Sequence, residues 1–139
     1  MSPDELKNSL DAINTPVSPA GMSGLSLAFI GDAVYEVLVR TLVLEQGDAR
    51  VQTLHQRAID YVNASFQADA IKKLMPILTE EELSVYKRGR NAPSAHTPKN
   101  KTEAEYHLAT GFEALFGYLW LKGETDRILE LFNLICKGQ

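Results

Sequence analysis

The stretch "SLAFIGDAVYEVLVR", residues 26–40, sets one aspartate, Asp32, directly after a glycine inside an otherwise apolar helical pattern. Glycine in a helix interior costs about 1 kcal/mol relative to alanine, and a carboxylate buried without a partner costs several kcal/mol or more. A sequence that accepts both penalties predicts something that offsets them. A second stretch repeats the combination: "ATGFEALFGYLWL", residues 109–121, holds Glu113 among Phe112, Leu115, Phe116, Leu119 and Trp120, with Gly111 and Gly117 on either side. Glycine has no side chain to hold a neighbouring helix away, so Gly31, Gly111 and Gly117 predict a close crossing of the two helices that brings Asp32 and Glu113 together. Two ionised carboxylates at short range repel, and a shared proton or a divalent cation relieves them. An oxygen-rich site suits Mg²⁺, which keeps several of its waters. Two other readings stay open at this point. Asp32 could be an N-cap after a break at Gly31, bonded by the N–H of Val34 or Tyr35. Glu113 could be an ordinary ion-pair partner of Lys99, Lys101 or Lys122.

Outward from these stretches the hydrophobic period is helical, with no sustained alternation that would argue for strands, and an all-α domain is expected. A short helix near 3–11 is followed by the breaker-rich "NTPVSPAGMSG", residues 14–24, and then by the long pattern from about Leu25 to Leu44. A third segment, about Val51 to Leu74, places Leu54, Ala58, Tyr61, Val62, Phe66 and Ile71 near one face and ends at Pro76. Thr79 with Glu82, and Thr102 with Glu105, have capping-box spacing. They open helices to about Arg88 and about Lys122, and a last amphipathic helix runs from about Thr125 to Cys136.

Composition narrows the function classes. A chain of 139 residues fits a single domain, 1–139, able to bury roughly two thirds of its unfolded surface. No apolar run approaches the roughly 20 residues that span a bilayer, and "MSPDELKNSL" lacks the basic and apolar regions of a signal peptide. The single cysteine, Cys136, has no intrachain partner for a disulfide and reads as a packed residue of a reducing compartment, so a cytoplasmic location is expected. The net charge of −4 argues against a broadly basic nucleic-acid coat, yet "KRGRNAPSAHTPKNK", residues 87–101, carries five Lys or Arg residues and no acid. His55, His96 and His107 lack metal-ligand spacing to one another, and Glu80, Glu81 and Glu82 look like a helix start.

These motifs resemble the catalytic domain of the ribonuclease III family: "FIGDAVYE" is similar to its signature and "FEALFGYLWL" to its second acidic motif, over about residues 23–122. "KRGRNA", "TPKN" and the short length are similar to the Mini-III branch, which lacks a double-stranded-RNA-binding domain. The resemblance implies an all-α, dimeric nuclease that hydrolyses double-stranded RNA with Mg²⁺, leaving 5′-phosphate and 3′-hydroxyl ends. It places the catalytic, metal-binding acids at Asp32 and Glu113, and a dimer-contact aromatic at Phe29. Two further acids of the larger family fall at Ala28 and Thr110, a departure shared with the Mini-III branch. Arg88, Arg90, Asn91, Lys99, Asn100 and Lys101 are the candidate RNA contacts, with His96 weaker, since A-form RNA is bound largely through its phosphates and 2′-hydroxyls. The natural task implied is maturation of the large-subunit (23S) ribosomal RNA precursor, with a ribosomal protein as a conceivable helper.

Two other function classes are weighed against this one. A non-catalytic RNA-binding or ribosome-associated module of the same fold is favoured by Ala28 and Thr110 and opposed by Asp32 with Glu113. An all-α Mg²⁺-dependent nucleotide pyrophosphohydrolase would show several acids at i, i+3 or i+4 on one helix face, a pattern not found at Glu80–Glu82. Glu36, one turn after Asp32, reads equally as a support for that aspartate or as part of a solvated face, and Asp60 and Asp69 have no assigned role.

Overall fold

The computed structural model describes residues 2–5, 18–93 and 102–136, and among these every regular element is helical. A 3₁₀ turn, Pro19–Gly21, leads into α1 (Gly24–Glu45); α2 (Val51–Val62) and α3 (Ala64–Leu74) follow, then a second 3₁₀ turn, Met75–Ile77. The chain closes with α4 (Glu80–Arg90), α5 (Glu103–Leu121) and α6 (Thr125–Cys136). The N-terminal helix expected near 3–11 is represented by the helical residues 3–5, where Ser2 and Glu5 exchange reciprocal capping bonds of 3.0 and 3.1 Å. Its remainder lies outside the described residues.

Local chemistry accounts for the boundaries. Ser23 caps α1, its hydroxyl accepting from the Ser26 N–H at 3.1 Å. Thr79 and Glu82 form the complete capping box at the start of α4, with bonds of 3.1 and 2.9 Å. Thr102 accepts from the Glu105 N–H at 3.1 Å at the start of α5. Gly123 ends α5 with a positive φ of 73°, a conformation that glycine adopts without steric penalty. The single long helix expected from Val51 to Leu74 is instead two. Asn63 interrupts it in an extended conformation, accepting from the Phe66 N–H at 2.8 Å and donating to the Ile59 carbonyl at 3.0 Å. An asparagine that caps the next helix satisfies backbone groups which a continuous helix would satisfy itself, so hydrophobic period alone does not reveal the break.

The fold is organised around α5, which packs against α1, α3, α4 and α6 and is buried on most of its circumference. Phe112 and Phe116 from α5 meet Tyr35 from α1, which also meets Phe132 from α6; the Tyr35–Phe112 centroids lie 5.0 Å apart, edge to face. The Tyr35 hydroxyl is satisfied by the Tyr61 carbonyl at 2.6 Å, which ties the end of α2 to α1. Outside this core, a buried ion pair fastens α4 to α6. Both Glu82 oxygens accept from Arg127, each at 2.8 Å, and the same guanidinium donates to the Ile77 carbonyl and to Glu130 at 2.9 Å each. Burial pushes the Glu82 carboxyl up, but the Arg127 fork and the Thr79 N–H outweigh it and hold the group below its ordinary range.

The helix crossings rest on backbone contact. A Cβ added at Gly31 would lie 1.7 Å from the Glu113 carbonyl oxygen, and one at Gly117 would lie 2.0 Å from the Leu27 carbonyl oxygen, so α1 and α5 touch main chain to main chain at both points. Gly111 does not serve this crossing, contrary to expectation. It faces the Tyr86 ring on α4, and a Cβ there would approach that ring to 2.6 Å.

Two stability predictions follow from this packing. Gly31→Ala and Gly117→Ala should each destabilise the protein by about 3 kcal/mol or prevent folding, because rigid backbone opposes the new methyl. Gly21→Ala, which meets nothing within 4 Å, should stay within ~0.5 kcal/mol by the same urea unfolding assay. Glu82→Gln should cost roughly 2–3 kcal/mol, less than a fully buried pair because Arg127 keeps 20% of its side chain exposed. Since the Glu82 pKa is depressed on folding, its contribution is present above the ordinary carboxylate range near 4.3 and is lost as pH falls through the folded value. Unfolding free energies across acidic pH should therefore fall less steeply for Glu82→Gln than for the wild type.

Candidate active site at the crossing of two helices

Asp32 is exposed on α1, one residue beyond the point where Gly31 meets the peptide of Glu113, and Glu113 is half-buried on α5. Both acids thus arise from one helix crossing, as the glycine pattern predicts. The idea that Asp32 is buried is wrong, and so is the N-cap reading. α1 runs unbroken from Gly24 to Glu45, and the carboxylate projects on its solvent side. The offset to glycine's cost at position 31 is the close approach of α5, and Asp32 carries no burial cost. Lys122, one suggested partner for Glu113, is committed elsewhere: its ammonium donates to Glu81 at 2.8 Å and lies 3.4 Å from Glu124. Glu81 also accepts from the Tyr118 hydroxyl. Lys99 and Lys101, the other suggested partners, lie outside the described residues.

The two positions at which the larger family carries further acids are packed. Ala28 is 7% exposed within the core, and the buried Thr110 donates its hydroxyl to the Tyr106 carbonyl on its own helix at 2.9 Å. Glu36, one turn along from Asp32, accepts from the Arg40 guanidinium at 3.1 Å, an i,i+4 pair on a solvated face. Asp60 and Asp69 are exposed. Among the described residues no three His, Cys, Asp or Glu side chains come together as a metal-binding group. The crossing therefore offers two carboxylates. That donor set fits Mg²⁺, which binds through one or two carboxylates and fills its octahedron with water and substrate phosphate oxygens.

The basic candidates separate into distinct environments. Lys87, Arg88 and Arg90 form the last turn of α4, which runs two residues beyond its expected end near Arg88, so the cationic segment begins on a helix. Arg88 is half-buried and donates from Nη1 to the Ala20 and Met22 carbonyls at 3.3 and 2.9 Å, holding the segment ahead of α1. Arg90 lies over the Tyr86 ring, 5.6 Å from its centroid, and donates from Nε to the Asn91 side-chain oxygen at 3.1 Å. Lys99, Asn100, Lys101 and His96 lie outside the described residues. His55 is exposed, and His107 faces Glu103 at 3.8 Å. Glu80, Glu81 and Glu82 occupy the first turn of α4, as their sequence suggests, and do not form a metal-binding face.

Sequence reasoning missed Gly24 and Gly89. A Cβ at Gly24 would lie 2.5 Å from the Arg88 carbonyl oxygen, and one at Gly89 would lie 2.6 Å from the Ala114 methyl and 2.9 Å from the Gly111 Cα. The available signal was an isolated glycine inside the helical run "VYKRGRN". Phe29 is 83% exposed, which excludes the intrachain core role open to any phenylalanine. Ile30, Ala33, Val37, Trp120 and Leu129, with Thr125, line a largely apolar cleft between α1, α5 and α6. No helix among the described residues is long and apolar enough to cross a membrane.

Comparison with known proteins identifies the family of the fold. The Ribonuclease III domain pattern matches residues 25–124, which contain both acids. The chain is 48% identical over 126 residues to the Mini-ribonuclease 3 of Symbiobacterium thermophilum, covering 88% of this chain and 97% of that one. It is 45% identical to the Mini-ribonuclease 3 of a Thermoanaerobacter species, covering 81% of this chain and 80% of that one. A protein of Fusobacterium nucleatum solved by X-ray crystallography superposes with a TM-score of 0.81 at 33% identity, over 88% of this chain and 100% of the other. On these matches and the helix crossing that carries Asp32 and Glu113, the chain belongs to the ribonuclease III family, in its Mini-ribonuclease 3 branch, and is an endoribonuclease.

Proposed function

We propose that the protein is a Mg²⁺-dependent endoribonuclease that cuts double-stranded RNA as a homodimer, with Asp32 and Glu113 as its catalytic, metal-holding acids. The observation that carries this reading is the main-chain contact of Gly31 with Glu113, which roots two carboxylates from separate helices at one crossing beside solvent. The natural substrate, on the resemblance to the Mini-III branch, is the precursor of large-subunit (23S) ribosomal RNA in the cytoplasm, with a ribosomal protein as the candidate helper.

The exposed Asp32 carboxylate and the half-buried Glu113 carboxylate would hold Mg²⁺ through their oxygens, and the charge of the ion would offset the repulsion between them. When bound, the ion supplies Lewis-acid stabilisation of charge on the phosphate and a water of lowered pKa. In the overall hydrolysis a water oxygen bonds to phosphorus and the bond to the 3′ oxygen breaks, giving a 5′-phosphate and a 3′-hydroxyl. Arg90, and the basic residues 99 and 101 that follow it in sequence, would bind neighbouring phosphates without reading bases, which suits A-form RNA. Arg88 is removed from this set, because its guanidinium serves the Ala20 and Met22 carbonyls.

A dimer is supported by the exposure of Phe29 and by a largely apolar cleft that its sequence neighbour Ile30 lines. An aromatic side chain that is 83% in water on a helix that also lines a largely apolar cleft is the pattern of a contact buried between copies. Two protomers related by a two-fold axis would present two such acid pairs, one for each strand of the duplex.

Purified wild type should shorten a long generic RNA duplex in Mg²⁺ at low salt, whereas Asp32→Asn and Glu113→Gln should each lose about 100-fold or more in rate, as should wild type with a chelator. Full cleavage by either variant would remove that residue from the metal site, and cleavage by the chelated wild type would remove the metal. Phe29→Asp should shift the protein from dimer to monomer in sedimentation at micromolar concentration and lower cleavage in parallel. An unchanged sedimentation coefficient would place the dimer contact elsewhere.

A further inference from the structure

We infer that Arg90 is a pre-set phosphate clamp beside the acid pair, and that Tyr86 and Asn91 are the positioning residues that hold its guanidinium plane. The inference rests on the proposed RNA substrate and assigns roles within the basic segment that the resemblance treats as one set of contacts. Its starting point is the placement of Gly89. A Cβ at that position would meet the Ala114 methyl at 2.6 Å, the Gly111 Cα at 2.9 Å and the Thr110 carbonyl oxygen at 2.9 Å, so the end of α4 lies directly on this part of α5. Arg90 is the next residue, and Thr110 lies three residues, about 4.5 Å along the helix axis, before Glu113. The arginine is therefore anchored next to the acid-bearing part of α5 by main-chain packing.

Its side chain is held as well. Below it lies the ring of Tyr86, whose own position is set by Gly111: any side chain at 111 would strike the ring carbons at 2.6–2.7 Å. The Arg90 guanidinium sits 5.6 Å from that ring's centroid, within the range of a cation–π contact. Its Nε–H is engaged by the Asn91 side-chain oxygen at 3.1 Å. A guanidinium fixed through one face and through Nε has its two terminal amino groups directed along one remaining edge, the edge that matches two oxygens of a single phosphate. Asn91, on this geometry, orients the clamp and does not itself contact RNA. Arg88, two residues away, is tied by carbonyl bonds to the segment ahead of α1, which leaves Arg90 as the described arginine of this turn that has an aromatic platform.

Tyr86 carries a second mark. Its hydroxyl is buried and has no hydrogen-bond partner among the described residues.

The test is steady-state cleavage of a generic RNA duplex at several salt concentrations by the full-length wild type, Arg90→Lys, Asn91→Ala, their double variant, Tyr86→Leu and Tyr86→Phe, with melting curves for each. Arg90→Lys keeps the charge but loses the planar fork. It should raise KM about fivefold or more, with kcat within twofold and an unchanged salt slope. Asn91→Ala should raise KM several-fold in the wild type and add nothing to Arg90→Lys, since it acts through the fork. Tyr86→Leu should raise KM, and Tyr86→Phe, which restores the ring, should recover it. Equal effects of Asn91→Ala in both backgrounds, or a wild-type KM for Arg90→Lys in an enzyme that cuts the duplex, would overturn the clamp while leaving the proposed function intact. A wild type that neither binds nor cuts duplex RNA would overturn both.

Discussion

The contact on which the structure depends is the meeting of two backbones at Gly31 and Glu113. With 1.7 Å between a hypothetical methyl and the carbonyl oxygen, α1 and α5 are as close as main chains allow, and no other residue type fits between them. Gly117 against the Leu27 carbonyl repeats the arrangement less than two turns away, so the two helices are held at two points and their mutual angle has little freedom. α4 joins through Gly89 and Gly24 in the same manner. Two helices thus converge on residues 110–117 of α5 by glycine contacts, and Asp32 and Glu113 stand at that junction. A carboxylate placed by main-chain contact is more rigidly located than one placed by side-chain packing, which is what a site built from few ligands requires.

How few is set by the packing on either side. Thr110 spends its hydroxyl on the Tyr106 carbonyl, and Ala28 presents only a methyl to the core. Neither position could hold a carboxylate in its present surroundings without burying it, and burying an ionised group without a compensating charge is expensive. The protein's share of the proposed metal site at this crossing would therefore be the pair Asp32 and Glu113, one exposed and one half-buried. Substrate phosphate and water are left to complete the coordination, so such a site would be completed in part by the RNA that it cuts. The proposed catalysis and the proposed binding are for that reason hard to separate physically.

Much of this was legible in the sequence because it was written in residue types with strong local physics. Thr79 with Glu82 and Thr102 with Glu105 mark helix starts that the structure reproduces, and Gly31 and Gly117 announce a close crossing that only the partner surface could explain. What was not legible depends on direction in space. The exposure of Asp32 could not be read, because its neighbours on the helix are apolar for two different reasons: some face the core, while Phe29 and Val37 are exposed at 83% and 64%. The break at Asn63 was hidden because Phe66 and Ile71 continue to pack inward after it, so the apolar pattern survives the interruption. Gly111 was assigned to the wrong neighbour, since the sequence says that something comes close to a glycine and is silent on what.

The basic turn at the end of α4 shows the same limit at the level of function. In sequence, Arg88 and Arg90 read as one cationic patch. On a helix, two residues apart is about 200°, so the pair must diverge. Arg88 turns to the carbonyls of Ala20 and Met22 and closes the chain ahead of α1 onto α4, where Gly24 already touches the Arg88 backbone. Arg90 turns to the Tyr86 ring and the Asn91 amide, beside the part of α5 that leads to Glu113. A structural latch and a candidate substrate contact are thus supplied by identical side chains two positions apart. Removing Arg88 would disturb RNA handling only through the position of α1, whereas removing Arg90 acts where the phosphate is proposed to sit. Charge in this segment is consequently a poor guide to RNA affinity, and the geometry of each guanidinium is the quantity that matters.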